Sequence, residues 1–284
     1  MAEPALTQDV RAAIERATSR LAAAGVGSPR FDAEELAAHV LGIARADLVR
    51  HDRIDADTYE ALIAARELRR PLQHLTGLAH FRYLSVAVGP GVFVPRPETE
   101  VMVDQVIDHL RAGPAEPLVV DLCTGSGAVA LSIATEVPGA RVHAVEVDPI
   151  AHDWAARNLA GSGVILHLAD ARTALPELDG TVDVVISNPP YIPLQAWESV
   201  ATEVRDHDPA AALWGGGEDG LDLIRGVEAR AALLLRRDGL VAVEHADVQR
   251  VGVTAVFGGS GRWRAVADHQ DLAGRDRYLT ALRV

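Results

Sequence analysis

The sequence predicts an α/β protein, a mostly parallel sheet layered with helices, preceded by a small helical domain. Three observations carry this. From residue 117 short apolar runs alternate with helix-length segments, residues 7–70 keep a helical period, and residues 79–95 between them switch to a period of two. A chain of 284 residues has room for both parts and for a sizeable core.

Val10, Ala13, Ile14, Ala17, Leu21 and Ala22 recur at helical spacing, with Gly25 as a stop. Ser28-Pro29 starts a second helix, whose apolar stripe of Phe31, Leu36, Ala37, Val40 and Leu41 ends at Gly42. A third runs from about Ala56 to Arg70, before Pro71. These segments form a helical domain over residues 1–78. Phe81, Tyr83, Ser85 and Ala87 then alternate with their neighbours, and Gly89-Pro90-Gly91 turns the chain before Val92-Phe93-Val94, which predicts a β-hairpin linker over 79–95. Pro97 opens a helix that reaches about Arg111.

In the third segment, 96–284, strands are expected at Leu118–Leu122, Arg141–Val147, Val164–Ala169, Val182–Ser187 and Gly239–Glu244. Helices over Gly125–Val137, Ile150–Leu159 and Leu221–Leu235 separate them. The last two strands, near Trp263–Ala267 and Tyr278–Val284, have no helix between them and should pair antiparallel.

The bulk numbers exclude several functions. No apolar run is long enough to cross a bilayer, and the amino terminus lacks a basic segment followed by an apolar one, so a cytoplasmic protein without membrane contact is expected. Cys123 is the single cysteine and the histidines are scattered, which excludes an internal disulfide and argues for no metal. Residues 1–95 hold 11 Arg against 12 Asp and Glu, leaving 16 against 28 for the remainder, the wrong sign for non-specific binding to nucleic acid.

Asn188-Pro189-Pro190-Tyr191 follows the apolar strand Val182–Ser187, at the carboxyl edge where open α/β folds bind ligands. Two successive prolines can neither propagate a helix nor donate to a neighbouring strand, so their carbonyls are left to accept. The Asn188 carboxamide oxygen beside a free carbonyl makes a double acceptor that matches the two N–H groups of a primary amide or an exocyclic amine. Tyr191 adds a flat apolar face with a polar tip. The chemistry implied is transfer to nitrogen.

A second motif, Asp121-Leu-Cys-Thr-Gly-Ser-Gly127, lies at a strand-to-helix turn, where the glycines let a ligand approach the backbone. Glu146 ends the next strand, and a carboxylate there can take both ribose hydroxyls of a nucleotide. The spacing Gly125-x-Gly127-x-x-Ala130 also fits a nicotinamide fingerprint. Asp121 separates the readings, because a carboxylate facing the loop suits an ammonium or a water network and would repel a pyrophosphate.

Together these features resemble the class I S-adenosylmethionine-dependent methyltransferases, whose Rossmann-like seven-stranded mixed sheet ends in a reversed strand. The resemblance implies S-adenosyl-L-methionine as methyl donor and S-adenosyl-L-homocysteine as product. Asp121 would lie near the methionine moiety, Glu146 on the ribose and Asp170 near the adenine amine. Cys123, Thr124, Gly125, Ser126, Gly127, Ala171 and Asn188 would complete the cofactor site, with Cys123 a small packing residue and no nucleophile. Relatives often have an aromatic where Ala171 stands and Asp where Glu146 stands.

The match extends to the amino-terminal half. Pro29-Arg-Phe-Asp32-Ala-Glu34, Pro71-Leu-Gln-His74-Leu-Thr-Gly77, Phe93-Val-Pro95-Arg-Pro97-Glu98-Thr-Glu100, Glu203-Val-Arg205-Asp-His-Asp208-Pro209 and Gly216-Gly217-Glu-Asp-Gly220 stand in the order seen in the HemK/PrmC family, the peptide chain release factor glutamine N5-methyltransferases. The resemblance implies, as acceptor, the glutamine amide in the Gly-Gly-Gln loop of class 1 release factors. Asn188, Pro189, Pro190, Tyr191 and Phe93 would then hold it, and residues 1–78 would recognise the protein substrate.

Four other readings use part of the same features. An adenine-N6 nucleic-acid methyltransferase shares Asn-Pro-Pro-Tyr but wants a basic target-recognition region. A ribosomal-protein glutamine methyltransferase is closer, and the segment Pro97–Glu100 favours the release-factor branch. A nicotinamide oxidoreductase explains only the glycines, and a non-catalytic binding protein leaves Asn188 unexplained.

Overall fold

A computed structural model of the chain describes residues 7–284. Residues up to Leu78, together with Ala201–His207, form one compact unit, and Ala79–Val200 with Asp208–Val284 form the other.

The first unit pairs a short strand β1 (Thr7–Asp9) antiparallel with β2 (Arg53–Asp55) and stacks helices α1 (Val10–Ala23), α2 (Pro29–Leu41), α3 (Ala56–Glu67) and α4 (Leu72–Thr76). Asp9 and Asp55 cap α1 and α3 by accepting the N–H groups of Ala12 and Thr58, each at 2.8 Å. Val10, Ile14, Leu21, Leu36, Tyr59 and Ile63 are all buried in its core, as the helical periodicity requires. The third helix stops at Glu67, short of the expected Arg70, because Arg69 takes a positive φ of 63° and turns the chain into α4. Arg69 is held there by Glu203 (2.6 Å), in the first turn of the short helix α8 (Thr202–His207), in the segment that returns to this unit. Arg66, itself buried, bridges Asp32 at 2.7 Å and Glu203 at 3.1 Å. Two acidic residues far apart in the chain thus meet on one guanidinium fork, and removing a partner from such a buried pair costs about 3–5 kcal/mol.

The second unit opens with a hairpin of β3 (Leu78–Phe81) and β4 (Leu84–Ala87), then α5 (Pro97–Arg111). The hairpin turns at Arg82-Tyr83 and not, as expected, at Gly89-Pro90-Gly91. Arg82 adopts φ 54° because its guanidinium is tied to Glu136 (2.6 Å) and Asp104 (2.7 Å) while its N–H donates to Glu100. Val92-Phe93-Val94 is consequently not a strand.

There follow β5 (Leu118–Leu122), α6 (Ala128–Glu136), β6 (Arg141–Glu146), α7 (Pro149–Asn158), β7 (Ile165–Leu168), β8 (Val182–Ser187), α9 (Asp222–Leu234), β9 (Leu235–Glu244), α10 (Arg250–Gly259), β10 (Trp263–Gln270) and β11 (Asp276–Arg283). The helix α10 was not anticipated. The sheet has seven strands in the order β10-β11-β9-β8-β5-β6-β7, with β11 antiparallel to both its neighbours and the rest parallel. This is the class I methyltransferase sheet with its reversed last strand. Successive residues of a strand serve opposite faces: Val119, Val184 and Ile186 belong to the core on the side of α5, α6 and α7, whereas Val120 and Val185 belong to that on the side of α9 and α10. Because both faces are covered, the parallel strands read as continuous apolar runs.

The register aligns the functional ends. Leu122 lies beside Ser187 and Val145, Ser187 beside Val243, and Glu146 beside Leu168. The residues that follow, Cys123, Asn188 and Glu244, therefore leave the sheet in one row at its carboxyl edge. The chain crosses to opposite sides of β5 when it forms β6 and β8, and that switch point is where such sheets open a crevice.

Candidate active site

The glycine loop between β5 and α6 is held from both sides by the strand ends. Thr124 N–H donates to Val145 O and Gly127 N–H to Thr124 O, both at 2.9 Å, and Asn158 Nδ2 donates to Ser126 O at 2.8 Å. Asn158, unremarked in the sequence, also exchanges bonds with both backbone groups of Ala87 and so ties the loop to the hairpin. Gly125 has φ 57°, and a Cβ placed there would meet nothing within 4 Å, so the loop turns its open face to empty space above the sheet edge.

Asp121 is only 1% exposed. It accepts the Thr124 hydroxyl at 2.5 Å and is bonded by the Ala130 N–H, while burial pushes its carboxyl up to about 7. It braces the loop from beneath. Glu146 takes the N–H groups of Gly125, Val147 and Asp148, each at 2.9 Å, and burial raises its pKa against those bonds. Three donors leave one lone-pair site of four on this carboxylate. Asp170 is clasped by the Arg172 guanidinium, which holds it below the usual carboxylate range, and Ala171 is buried. Thr124 and Ser126 are buried, and burial pushes the Cys123 thiol up, away from nucleophilic character. Val147, directly after Glu146, is an exposed apolar side chain at this edge, 59% accessible.

On the other side of the row, Asn188 is half-buried and Pro189 buried. Asn188 Nδ2 donates to Thr99 Oγ1 at 3.1 Å, which turns the carboxamide oxygen away from α5. Tyr191 directs its hydroxyl inward onto Glu244 Oε1 (3.2 Å) rather than toward the site mouth, and its ring joins the core on the α9 side. Burial and the neighbouring Glu244 push its phenol up. The Tyr191 carbonyl accepts Gln249 Nε2 at 2.6 Å. A Cβ at Gly220 would lie 2.4 Å from that same carbonyl oxygen and one at Gly215 1.8 Å from Gly220 O, so the glycine-rich segment is there to let backbones touch beneath Tyr191. Phe93 is half-buried with the Arg96 guanidinium 4.9 Å over its ring, and Arg96 pairs with buried Asp208 at 2.7 Å. Burial pushes the Asp208 carboxyl up to about 6 against that pairing.

Besides Asn158, the sequence reading missed Thr99 and Glu244. Glu244 is 1% exposed, and burial raises its carboxyl to about 7 against the pull of Arg277. A signal for it existed, since it ends a buried strand in an acid just as Glu146 does.

The residues present fit a methionine-bearing nucleoside: a glycine loop open to space, a carboxylate at the next strand end with acceptor capacity left, and an apolar surface at Val147. Among the described residues no cluster of three or more His, Cys, Asp or Glu could hold a metal, and no helix is long and apolar enough to cross a membrane.

Family models match at residues 12–77, described as a PrmC N-terminal domain, and at 119–207, described as a methyltransferase domain. The chain is 57% identical over 274 residues to a release factor glutamine methyltransferase of Streptomyces coelicolor, an alignment covering 95% of this chain and 96% of that one. The chain belongs to the release factor glutamine methyltransferase family. A second member, from Mycolicibacterium smegmatis, is 49% identical with 97% of this chain and 98% of that one covered. A 4-amino-L-phenylalanine/4-methylamino-L-phenylalanine methyltransferase of Streptomyces pristinaespiralis is 40% identical over 99% of this chain and 96% of its own. The chain is thus an S-adenosylmethionine-dependent methyltransferase.

Proposed function

We propose that the protein transfers the methyl group of S-adenosyl-L-methionine to the side-chain amide nitrogen, N5, of the glutamine in the Gly-Gly-Gln loop of class 1 peptide chain release factors. The observation that carries this is the Asn188 carboxamide, held through its nitrogen by Thr99 so that its oxygen is free to accept, at the sheet edge beside the glycine loop.

Bound at the loop, S-adenosylmethionine supplies an electrophilic methyl on a sulfonium. The Gly125 turn and Glu146 would hold it, with Asp121 fixing the loop's shape from below. The chain's own task lies with the acceptor. An amide nitrogen is a poor nucleophile because its lone pair is delocalised, so Asn188 and the Pro189 carbonyl would take its two N–H groups and aim the nitrogen along one line. Positioning of this kind supplies roughly 7–11 kcal/mol when the geometry is right. No strong base is needed, since the proton can leave once the methyl has arrived. Phe93, stacked under Arg96, stands as an apolar wall for the glutamine side chain.

The amino-terminal unit would grip the release factor. It holds no catalytic motif, yet it is nearly neutral beside a strongly acidic remainder, and a Gly-Gly-Gln loop offers few side chains to recognise. Binding energy from surface away from the amide would then orient it. Acting on a substrate of translation termination, the enzyme would work in the cytoplasm.

The 4-aminophenylalanine relative favours one other acceptor, a free arylamine, because its planar NH2 fits the same two acceptors. Incubation with labelled S-adenosylmethionine and, in parallel, purified release factor or 4-amino-L-phenylalanine, followed by mapping of the label, tests the proposal. Label on the Gly-Gly-Gln glutamine is expected; label on the arylamine alone would overturn it.

A further inference from the structure

Asn188 can serve as an acceptor only if its carboxamide has one orientation. Its oxygen and NH2 ends are nearly the same shape, so packing alone does not choose between them. With the NH2 outward, the site would present donors to a substrate that offers donors. The choice rests on Thr99, 2% exposed, whose Oγ1 receives Asn188 Nδ2 at 3.1 Å. A threonine hydroxyl has a single proton and can donate or accept, so it forces the carboxamide's orientation only if its proton is directed elsewhere.

Glu244 is the group that can take it. Its carboxylate lies at the end of β9, 1% exposed, and the nearby Thr99 hydroxyl favours its ionised form. Oε1 already receives the Tyr191 hydroxyl at 3.2 Å, whereas Oε2 has no bond of good geometry to any described residue and stands as the open acceptor. Arg277 of β11 also favours the charged form of Glu244, and Glu98 of α5 opposes it. Burial raises Glu244 to about 7, so above that pH it is a carboxylate and acceptor-only, and Thr99 then turns its proton toward Glu244 and its lone pair toward Asn188 Nδ2.

We infer that Glu244 and Thr99 are positioning residues for methyl transfer: the buried carboxylate orients the Thr99 hydroxyl, which holds the Asn188 carboxamide with its oxygen toward the acceptor nitrogen. The same carboxylate holds Tyr191 by its hydroxyl, so both ends of the Asn188–Tyr191 motif hang from one group. This inference rests on the amide-acceptor reading of the site.

The test uses the full-length enzyme with Thr99→Val, Thr99→Ser and Glu244→Gln. Valine keeps the shape of threonine without the hydroxyl, and serine keeps the hydroxyl. Thr99→Val and Glu244→Gln should each lower kcat on release factor by about 10- to 100-fold, with KM and the S-adenosylmethionine Kd within about threefold, by analogy with the loss of one preorganised polar contact. Thr99→Ser should recover kcat to within about threefold, a rescue that a packing role would not show. The same bond is read without substrate by NMR. The Asn188 side-chain NH2 protons should exchange slowly in the wild-type chain and Thr99→Ser, and fast in Thr99→Val. Full turnover or unchanged exchange in Thr99→Val overturns the inference, as does Thr99→Ser failing like Thr99→Val. If the wild-type enzyme itself leaves release factor unmodified, the proposed substrate fails, and the exchange measurement still decides the positioning.

Discussion

The proposed cofactor side and the proposed acceptor side of the sheet edge lie next to each other but are built by different means. The cofactor side is mostly main chain: one strand, one turn and one helix start supply the loop, Glu146 of β6 braces it through backbone N–H groups, and Asp121 of β5 does so through the Thr124 hydroxyl and the Ala130 N–H. The acceptor side is made of side chains drawn from far apart, Asn188 meeting Thr99 across 89 residues and Tyr191 meeting Glu244 across 53. A main-chain site is sensitive chiefly to an added Cβ. A side-chain site is sensitive to where each proton points.

The comparison breaks most visibly at Asn188. Asn188→Ala should reduce kcat by about a thousandfold, on the order of 4 kcal/mol, while the S-adenosylmethionine Kd stays within about tenfold. Asn188→Asp should fail equally. Steady-state kinetics beside titration calorimetry would check this, and a parallel loss of cofactor affinity would show that the two sides are one.

Gly125→Ala probes the other side. Its Cβ would enter open space at φ 57°, so stability should fall by only about 1 kcal/mol while cofactor affinity weakens by at least about thirtyfold, the new methyl standing where the ligand must approach. Normal affinity in a folded Gly125→Ala protein would place the cofactor elsewhere. Glu146→Ala should weaken binding by about 1.5–3 kcal/mol, the range for hydrogen bonds to a charged group. Part of that loss would come from releasing the N–H groups of Gly125, Val147 and Asp148, so backbone amide exchange in the loop should quicken at the same time.

The last effect is a slope. Asp121 and Glu244 ionise near 7 in the fold against 3.8 and 4.5 ordinarily, so the folded chain binds their protons more tightly than the unfolded one. Their contribution to stability is full below about pH 4 and is lost as the pH rises through about 7, by at most about 1.4 kcal/mol per pH unit for each group. Urea unfolding between pH 5 and 8 should show a shallower loss in Asp121→Asn and in Glu244→Gln. An unchanged slope in both would mean that neither carboxyl is protonated in the folded protein.

What the sequence by itself determined follows from local physics. The strands Leu118–Leu122 and Val182–Ser187 stand where their apolar runs lie, α2 and α5 start at their prolines, and α1 and α2 stop just before Gly25 and Gly42. The glycine loop and Asn188–Tyr191 stand at the carboxyl edge where the sequence put them, because each is a short motif directly after an apolar strand. The tertiary structure alone decided the rest. The hairpin turns at Arg82 because Glu136 and Asp104, residues remote in the chain, hold that guanidinium, and no local pattern at Gly89-Pro90-Gly91 could reveal it. Helix α10 lies in a stretch to which the sequence pattern assigned no element. Ala201–His207 groups with the amino-terminal helices through Glu203 on Arg66 and Arg69. Which way Asn188 faces was likewise closed to sequence reading. It depends on a hydroxyl in α5 and a carboxylate in β9, and hydrogen bonds between distant side chains leave no periodicity along the chain.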